Sequence, residues 1–261
     1  MGKIIAVCNQ KGGVGKTTTA INLAACLAAA EKKTLIVDMD PQSNTTIGLG
    51  IDKDDLEATM YDVLTRQPDA HEPAVSIEDI IHSCDSIKFL DIAPASPDLA
   101  GAEIELVNVL SRERRLESAL ETVKLKYDYI IIDAPPSLGL LTINILTAAD
   151  SVLIPIQCEY YALEGLAELL NTIRLVQKSL NKKLVIEGAL LTMFDSRLNL
   201  SKQVAEDVRS YFSGKVFKVV ITRNVKLSES PSFGKPIILY DIMSSGAENY
   251  LSLAKEIMQN E

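Results

Sequence analysis

The sequence predicts an α/β fold in which helices flank a doubly wound, mostly parallel sheet. Short apolar runs recur along its 261 residues, bounded by Gly, Pro or Asp, and most are continuous rather than alternating. Continuous runs are typical of strands that are covered on both faces. Segments with apolar residues at helical spacing lie between the runs. Such alternation favours right-handed crossovers and a parallel sheet, whose ligands bind at the carboxyl ends of the strands.

The elements can be assigned in chain order. Seven apolar runs are the predicted strands: 3–9, 33–40, 88–95, 127–135, 151–157, 184–194 and 216–221. Three segments repeat apolar residues as helices do: 17–30, 165–180 and 199–212, the last with Ser201 as a possible N-cap. Since open α/β domains often reach this length, we expect residues 1–261 to form a single domain.

Composition narrows the classes of protein. No run approaches the roughly 18 to 20 uncharged apolar residues that a membrane helix needs. The N-terminus enters a glycine-rich turn at once and lacks the pattern of a signal peptide, which favours a cytoplasmic protein. The four cysteines are far apart and form no CxxC pair, so we expect buried free thiols rather than disulfides or a zinc site.

Charge is distributed unevenly along the chain. Residues 196–235 contain eight basic and three acidic residues, a net charge of +5 in a chain of −9, so the remainder carries −14. An acidic body with one basic segment suits a local contact with a polyanion. A solvated lysine-rich face would have the same charge, so charge alone leaves both interpretations open.

The segment "KGGVGKTT", residues 11–18, follows a predicted strand and opens a predicted helix. That context is typical of a loop that binds nucleotide phosphates through backbone N–H groups and the positive end of a helix. The residues expected at the phosphates are Gly12, Gly13, Val14, Gly15, Lys16 and Thr18. Lys16 is expected on the β- and γ-phosphates, and the Thr17 hydroxyl on Mg²⁺.

The loop departs from the ordinary G-x-x-x-x-G-K-[ST] pattern at its start. Gln10 stands where the first Gly belongs, and Lys11 is an additional cation. Lys16 already serves the triphosphate of its own subunit. We therefore hypothesise that Lys11 reaches across a two-fold interface to the phosphates of a second subunit.

These motifs resemble those of the ParA/MinD family of deviant Walker A ATPases. "KGGVGKTT" resembles the Walker A motif of that family, "VDMDPQSN" (37–44) its second motif, and "YIIIDAPPSLG" (129–139) its Walker B motif. Residues 192–204 and 222–237 resemble the chromosomal ParA (Soj) branch, and the resemblance covers nearly the full length. Because the chain begins at the first strand, we do not expect the helix-turn-helix extension of the larger plasmid ParA proteins.

The resemblance implies ATP and Mg²⁺ as cofactors, and roles for four further residues. Asp40 would orient the attacking water, and Asp133 would hold Mg²⁺ through water. Asp38 would assist the coordination shell of the metal. Asn224 would meet the adenine, although Thr222 stands where many relatives have Pro. The alternative for the two aspartates of the second motif is an acidic strand end that caps the next helix.

The family also implies a function. ATP would join two subunits into a sandwich dimer in which Lys11 acts in trans beside Lys16 and Asp40. This dimer would bind DNA non-specifically on the nucleoid, for chromosome or plasmid segregation, until a ParB-like centromere-binding protein stimulates hydrolysis. The expected DNA contacts are in the basic segment: Arg197, Lys202, Arg209, Arg223 and Lys226.

Three alternative functions fit the sequence less well. A MinD-like division-site regulator binds membranes and would need a C-terminal amphipathic helix with a basic face. The tail 247–261 has three Glu and one Lys, so anionic lipid should repel it. Neither a small-molecule kinase nor an iron–sulfur reductase would account for Lys11 together with the basic segment.

Overall fold

The computed structural model describes residues 2–66, 74–163 and 165–260, so the remaining positions of the predicted domain lie outside the described residues. Seven strands among them form one sheet in the order β3-β4-β2-β5-β1-β6-β7. All neighbours are parallel except β3 and β4. The strands are β1 Lys3–Val7, β2 Thr34–Asp38, β3 His82–Ser83, β4 Leu90–Ala93, β5 Tyr129–Asp133, β6 Ser151–Gln157 and β7 Val185–Thr192.

Helices flank both faces of the sheet, and short 3₁₀ turns join some of them. The helices are α1 Lys16–Ala29, α2 Asn44–Gly48, α3 Met60–Thr65, α4 Leu99–Glu105, α5 Arg115–Glu121, α6 Leu140–Ala148, α7 Leu166–Ser179, α8 Asn199–Phe212, α9 Val225–Glu229, α10 Ile237–Tyr240 and α11 Ser245–Gln259. Successive residues of β1 belong to different hydrophobic clusters, Ile4 to one and Ile5 to the other. The strands are thus covered on both faces, as their continuous apolar runs predict.

Six of the seven predicted strands are present, and the prediction of a strand at 216–221 is wrong. Only isolated bridges join this segment to its neighbour, at Val216 and Thr222. Between these two bridges, the backbone N–H groups of Lys218 and Val219 donate to the Glu256 carboxylate on α11, at 2.8 and 3.1 Å. A side chain from the last helix therefore interrupts the pairing with β7, while Phe217 and Ile221 still donate to that strand.

The three predicted helices are present, but Ser201 is not an N-cap. Helix α8 begins at Asn199, and the Ser201 hydroxyl donates instead to the Cys158 carbonyl oxygen at 3.3 Å. The cysteine prediction is confirmed, since all four are buried and free. Within the described ranges, none of the helices combines the length and the hydropathy that a membrane span requires.

The strand register brings the predicted motifs together. Asp133 at the end of β5 lies beside Val7 at the end of β1 and beside Asp38 at the end of β2. The phosphate loop follows Val7, so loop and carboxylates meet at the carboxyl edge of the sheet. Parallel α/β sheets bind their ligands at this edge.

Candidate nucleotide-binding site

The loop between β1 and α1 is held in place by side chains from both of its flanks. Asn9 donates from Nδ2 to the Pro155 carbonyl oxygen at 2.7 Å and accepts the backbone N–H of Lys11 at 3.0 Å. The Thr192 hydroxyl donates to the Val14 carbonyl oxygen at 2.8 Å. Hydrogen bonds from β6 and β7 thus hold the loop in position.

The loop backbone leaves room for a polyanion. A Cβ built on Gly12 or Gly13 would meet nothing within 4 Å among the described residues. Gly15 precedes α1 with φ 91°, a conformation that side chains disfavour. The Val14 side chain is buried, so Val14 can offer a ligand only its backbone. A cradle of this kind at a helix N-terminus suits phosphate oxygens.

Lys16 places its cation over the loop. The side chain is 6% exposed, and Nζ donates to the Lys11 carbonyl oxygen at 3.1 Å. Burial lowers the pKa of Lys16, and the Asp133 and Asp40 carboxylates oppose that shift. The ammonium group therefore lies between the loop and the carboxylates, where the β- and γ-phosphates are expected.

Asp133 and Thr17 fit a magnesium ion. The hydroxyls of Thr17 and Thr45 both donate to Asp133 Oδ2, at 2.7 and 2.8 Å. The other oxygen, Oδ1, is buried and has no hydrogen-bond partner within the described part of the chain. Burial, and then the nearby Asp38 charge, raise the pKa of Asp133. A bound Mg²⁺, which keeps several of its waters, would satisfy the unpartnered oxygen.

Asp38 has a different environment from Asp133, because both of its carboxylate oxygens have hydrogen-bond partners. Its Oδ1 accepts the Asp40 N–H at 3.1 Å, and its Oδ2 accepts the N–H and the hydroxyl of Thr46 at 2.9 and 2.7 Å. Thr46 belongs to the first turn of α2, so Asp38 caps the next helix. This contact is the one that the capping alternative predicts for Asp38, and the role of Asp38 near a metal stays a prediction.

Asp40 faces the phosphate loop. One pocket is lined by this carboxylate together with Gly12, Gly13 and Lys16. Asp40 is nearly buried, and its Oδ1 accepts the Gln42 N–H at 3.0 Å, which fixes its rotamer. A carboxylate held opposite the cradle can orient a water toward a phosphate bound there.

A second pocket continues from the phosphate loop, since Gly15 and Thr18 line both. Its wall contains Asn224, which caps α9 by accepting the Lys226 N–H and donates to the Ser245 hydroxyl, both at 2.8 Å. A nucleoside attached to bound phosphates would enter this pocket. Asn224 lines this pocket, and its contact with adenine stays a prediction.

Thr222, at the position where the family resemblance led us to expect Pro, also lines this pocket. Its N–H and its hydroxyl both donate to Asn249 Oδ1 on α11, each at 3.0 Å. Proline has no N–H, so a proline here could not form the first of these bonds.

Comparison with known proteins identifies the family. A family model described as "AAA domain" matches residues 2–186. The Bacillus subtilis protein named "Sporulation initiation inhibitor protein Soj" is 64% identical over 260 residues, covering 100% of both chains. The chain belongs to the ParA/MinD family of ATPases, in its Soj/ParA branch.

Two further comparisons agree with this assignment. The "Chromosome partitioning protein ParA" of Myxococcus xanthus is 58% identical, covering 100% of this chain and 89% of its own. A crystal structure titled cobyrinic acid a,c-diamide synthase from Mycobacterium smegmatis, with bound ADP and magnesium, superposes with a TM-score of 0.85. It is 36% identical and covers 100% of this chain and 95% of that chain. The fold prediction is thereby confirmed.

Several residues of this ParA/MinD site were not predicted. Thr45 donates to Asp133, and Thr192 donates to the phosphate loop. Gln42 and Met193 line the phosphate pocket. Thr192 ends a strand at the ligand edge, so its position was a usable signal. Met193 has a positive φ of 51°, which nothing in the sequence predicts.

Lys11, the signature lysine of the family, lies half-buried on the loop. Its carbonyl oxygen is bonded to Lys16 and its N–H to Asn9. The ion pairs of the described residues do not include Lys11. Its backbone therefore builds the cradle of its own subunit, and its ammonium group is not committed to a described carboxylate.

The five predicted DNA contacts are all exposed: Arg197, Lys202, Arg209, Arg223 and Lys226. Three of them have acidic partners, which orient them and offset part of their charge. Arg197 forms two bonds to Asp195, at 2.9 and 2.7 Å. Arg223 pairs with Glu159 at 3.3 Å, and Lys226 with Glu229 at 2.8 Å.

The other two cations lie on α8. Lys202 and Arg209 are seven residues apart, about two helical turns, and therefore share a face of that helix. Arg197 precedes α8 and Arg223 follows it in the chain. Arg223 also lines the nucleoside pocket, whereas Arg197 does not.

Proposed function

We propose that this Mg²⁺-dependent ATPase partitions DNA, that ATP joins two copies into a sandwich dimer, and that the dimer binds DNA without sequence preference. A ParB-like centromere-binding protein would stimulate hydrolysis and so release the dimer. One observation carries the proposal: Lys11 and Arg197 lie at the same edge of the parallel sheet, since they follow β1 and β7. The side chain of Lys11 forms no ion pair with a described carboxylate. A two-fold axis through two phosphate loops would therefore combine the cations of both subunits on one rigid body.

The dimer makes ATP a switch for DNA binding. One subunit offers a few exposed cations, and the acidic partners of Arg197, Arg223 and Lys226 reduce their net charge. Each phosphate contact contributes modestly and depends on salt, so a monomer would bind weakly. Two copies held together double the number of phosphate contacts and gain through effective concentration. The nucleotide need not touch the DNA.

The MinD-like alternative lacks support from the last helix. The apolar residues of α11, among them Tyr250, Leu253 and Ile257, are buried in the core. Glu256 on the same helix accepts two backbone hydrogen bonds from the middle of the 216–221 segment. A helix used in this way has no free apolar face for lipid.

The proposal extends to the organisation and the location of the protein. Residues 1–261 would act as a single ParA-type domain in the cytoplasm, associated with the nucleoid. One continuous sheet, with strands drawn from residues 3 to 192 and flanked by helices up to residue 259, supports a single domain.

The test compares nucleotide states. Affinity for random-sequence DNA is measured with ATP, with ADP and without nucleotide, and co-sedimentation with anionic vesicles is measured in parallel. We expect strong DNA binding only with ATP, and no ATP-dependent binding to vesicles. DNA binding that ignores the nucleotide, or ATP-dependent binding to vesicles instead, would contradict the proposal.

Charge reversal at the DNA surface should weaken binding to all sequences alike. We expect Arg197→Glu and Lys226→Glu to lower DNA affinity in the ATP state and to reduce the slope of log affinity against log salt by about 1 for each phosphate interaction removed. ATP-driven dimerisation should persist. Lys182→Glu is the matched control, because Lys182 is exposed and precedes β7, at the opposite edge of the sheet. Equal reductions of DNA affinity in all three variants would remove this surface from the proposal.

A further inference from the structure

Two glycines bring distant parts of the chain into direct backbone contact. A Cβ on Gly234 would lie 2.6 Å from Gly50 Cα, and a Cβ on Gly50 would lie 3.2 Å from the Gly234 carbonyl oxygen. Both residues also have positive φ, 81° for Gly50 and 60° for Gly234. The short distance between the two backbones and the positive φ of both residues require glycine here. Any side chain would push the two segments apart.

Gly50 is linked to Asp40 by a short, bonded segment. The Ser43 N–H donates to the Asp40 carbonyl oxygen at 2.8 Å, and α2 begins at the next residue. At the other end of α2, the Gly50 N–H donates to the Ile47 carbonyl oxygen at 2.9 Å. Asp38 caps this helix through Thr46. A displacement of Gly50 is therefore transmitted along α2 toward Asp40.

Gly234 is linked to the nucleoside pocket in a similar way. Asn224 lines the pocket and caps α9, and the chain continues directly into a 3₁₀ turn, Ser230–Phe233, that ends at Gly234. The Lys235 N–H donates back to the Ser230 carbonyl oxygen at 3.3 Å. A nucleoside that presses on Asn224 therefore acts on the same compact unit that carries Gly234.

Helix α2 has little room to move independently. A Cβ on Gly48 would lie 2.6 Å from Ile21 Cδ1 on α1 and 3.8 Å from Pro231 of the 3₁₀ turn. Helix α2 thus packs between the helix that follows the phosphate loop and the unit that borders the nucleoside pocket. A shift on either side would reach it.

We propose that Gly50 and Gly234 are positioning residues, which form a joint through which the bound nucleoside sets the position of the Asp40 segment. The inference rests on the proposed function only for the role of Asp40 in hydrolysis. Phosphates alone would fill the cradle, but they would not engage the Asn224 unit. Hydrolysis should therefore depend on the nucleoside as well as on the polyphosphate.

The direct test is amide hydrogen exchange with two ligands that differ by a nucleoside, ADP–Mg²⁺ and pyrophosphate–Mg²⁺. In the parent protein, ADP should slow exchange at residues 44–50 more than pyrophosphate does. In Gly234→Ala, both ligands should still slow exchange at residues 12–18, but the additional protection by ADP at 44–50 should be lost. Gly214→Ala is the matched control, since Gly214 has φ 92° and no atom of the described residues lies within 4 Å of an added Cβ.

Two results would overturn the joint. One is equal protection of residues 44–50 by both ligands in the parent, and the other is full ADP-specific protection in Gly234→Ala. If Gly234→Ala does not fold, Gly50→Ala serves, because its Cβ would meet an oxygen at 3.2 Å and demands a smaller shift. Gly50→Ala should lose the protection in part, and its full retention would equally overturn the joint.

Turnover gives a second readout. In Gly234→Ala, kcat for ATP should fall by about tenfold or more, as for a small misplacement at an active site, while turnover of tripolyphosphate stays at the parental level. An equal fall with both substrates would indicate a merely structural role and contradict the inference. The exchange result does not depend on Asp40 chemistry, so it stands even if Asp40→Ala hydrolyses ATP normally and the proposed function fails.

Discussion

A Lys11→Ala variant is expected to bind ATP as the parent does and to remain a monomer when ATP is added. Within its own subunit, Lys11 contributes a carbonyl oxygen to Lys16 and an N–H to Asn9, and alanine retains both backbone groups. Only the ammonium group is removed, and that group is proposed to serve the second subunit. Light scattering with and without ATP measures the association, and nucleotide titration measures binding.

Lys16→Ala is the informative contrast. It removes the cation that lies over the cradle, so ATP binding itself should weaken by up to about 100-fold, since hydrogen bonds to charged groups contribute up to about 3 kcal/mol. Dimerisation would then fail because ATP no longer binds. If Lys11→Ala dimerised normally on ATP, the cross-subunit role would have to be abandoned.

An Asp40→Ala variant should bind ATP and dimerise, yet hydrolyse ATP at least about 100-fold more slowly. The carboxylate faces the cradle, and the backbone N–H of Gln42 holds it in that position. Phosphoryl transfer depends mainly on positioning and charge, and the variant supplies neither to the water. Without hydrolysis, the dimer should accumulate on DNA.

The measurement is single-turnover hydrolysis together with the fraction of protein retained on DNA. Asp54→Ala serves as the control, because Asp54 is an exposed carboxylate farther along the same part of the chain. It should leave both quantities unchanged. Parental turnover in Asp40→Ala would assign the attacking water to another residue.

The secondary structure could be predicted wherever the pattern is local. Continuous apolar runs located six strands, and helical spacing located α1, α7 and α8. The segment 216–221 has the composition of a strand but not the structure, because Glu256 on α11 accepts the hydrogen bonds of its two central N–H groups. Ser201 failed as an N-cap for a similar reason, since the Cys158 carbonyl oxygen accepts its hydroxyl. In both cases the competing partner is remote in sequence.

What the sequence alone determined is the phosphate loop and the family. The loop is a contiguous stretch whose glycines, lysine and threonine act through local backbone geometry, so residues 11–18 sufficed to predict the cradle. Only the tertiary structure shows how hydrogen-bond donors are divided between the acidic residues. Asp38 and Asp133 both end strands, yet Thr46 satisfies Asp38, while Asp133 retains one unpartnered oxygen within the described chain. Which carboxylate remains available depends on hydroxyls delivered by other segments, and their positions exist only once the chain has folded.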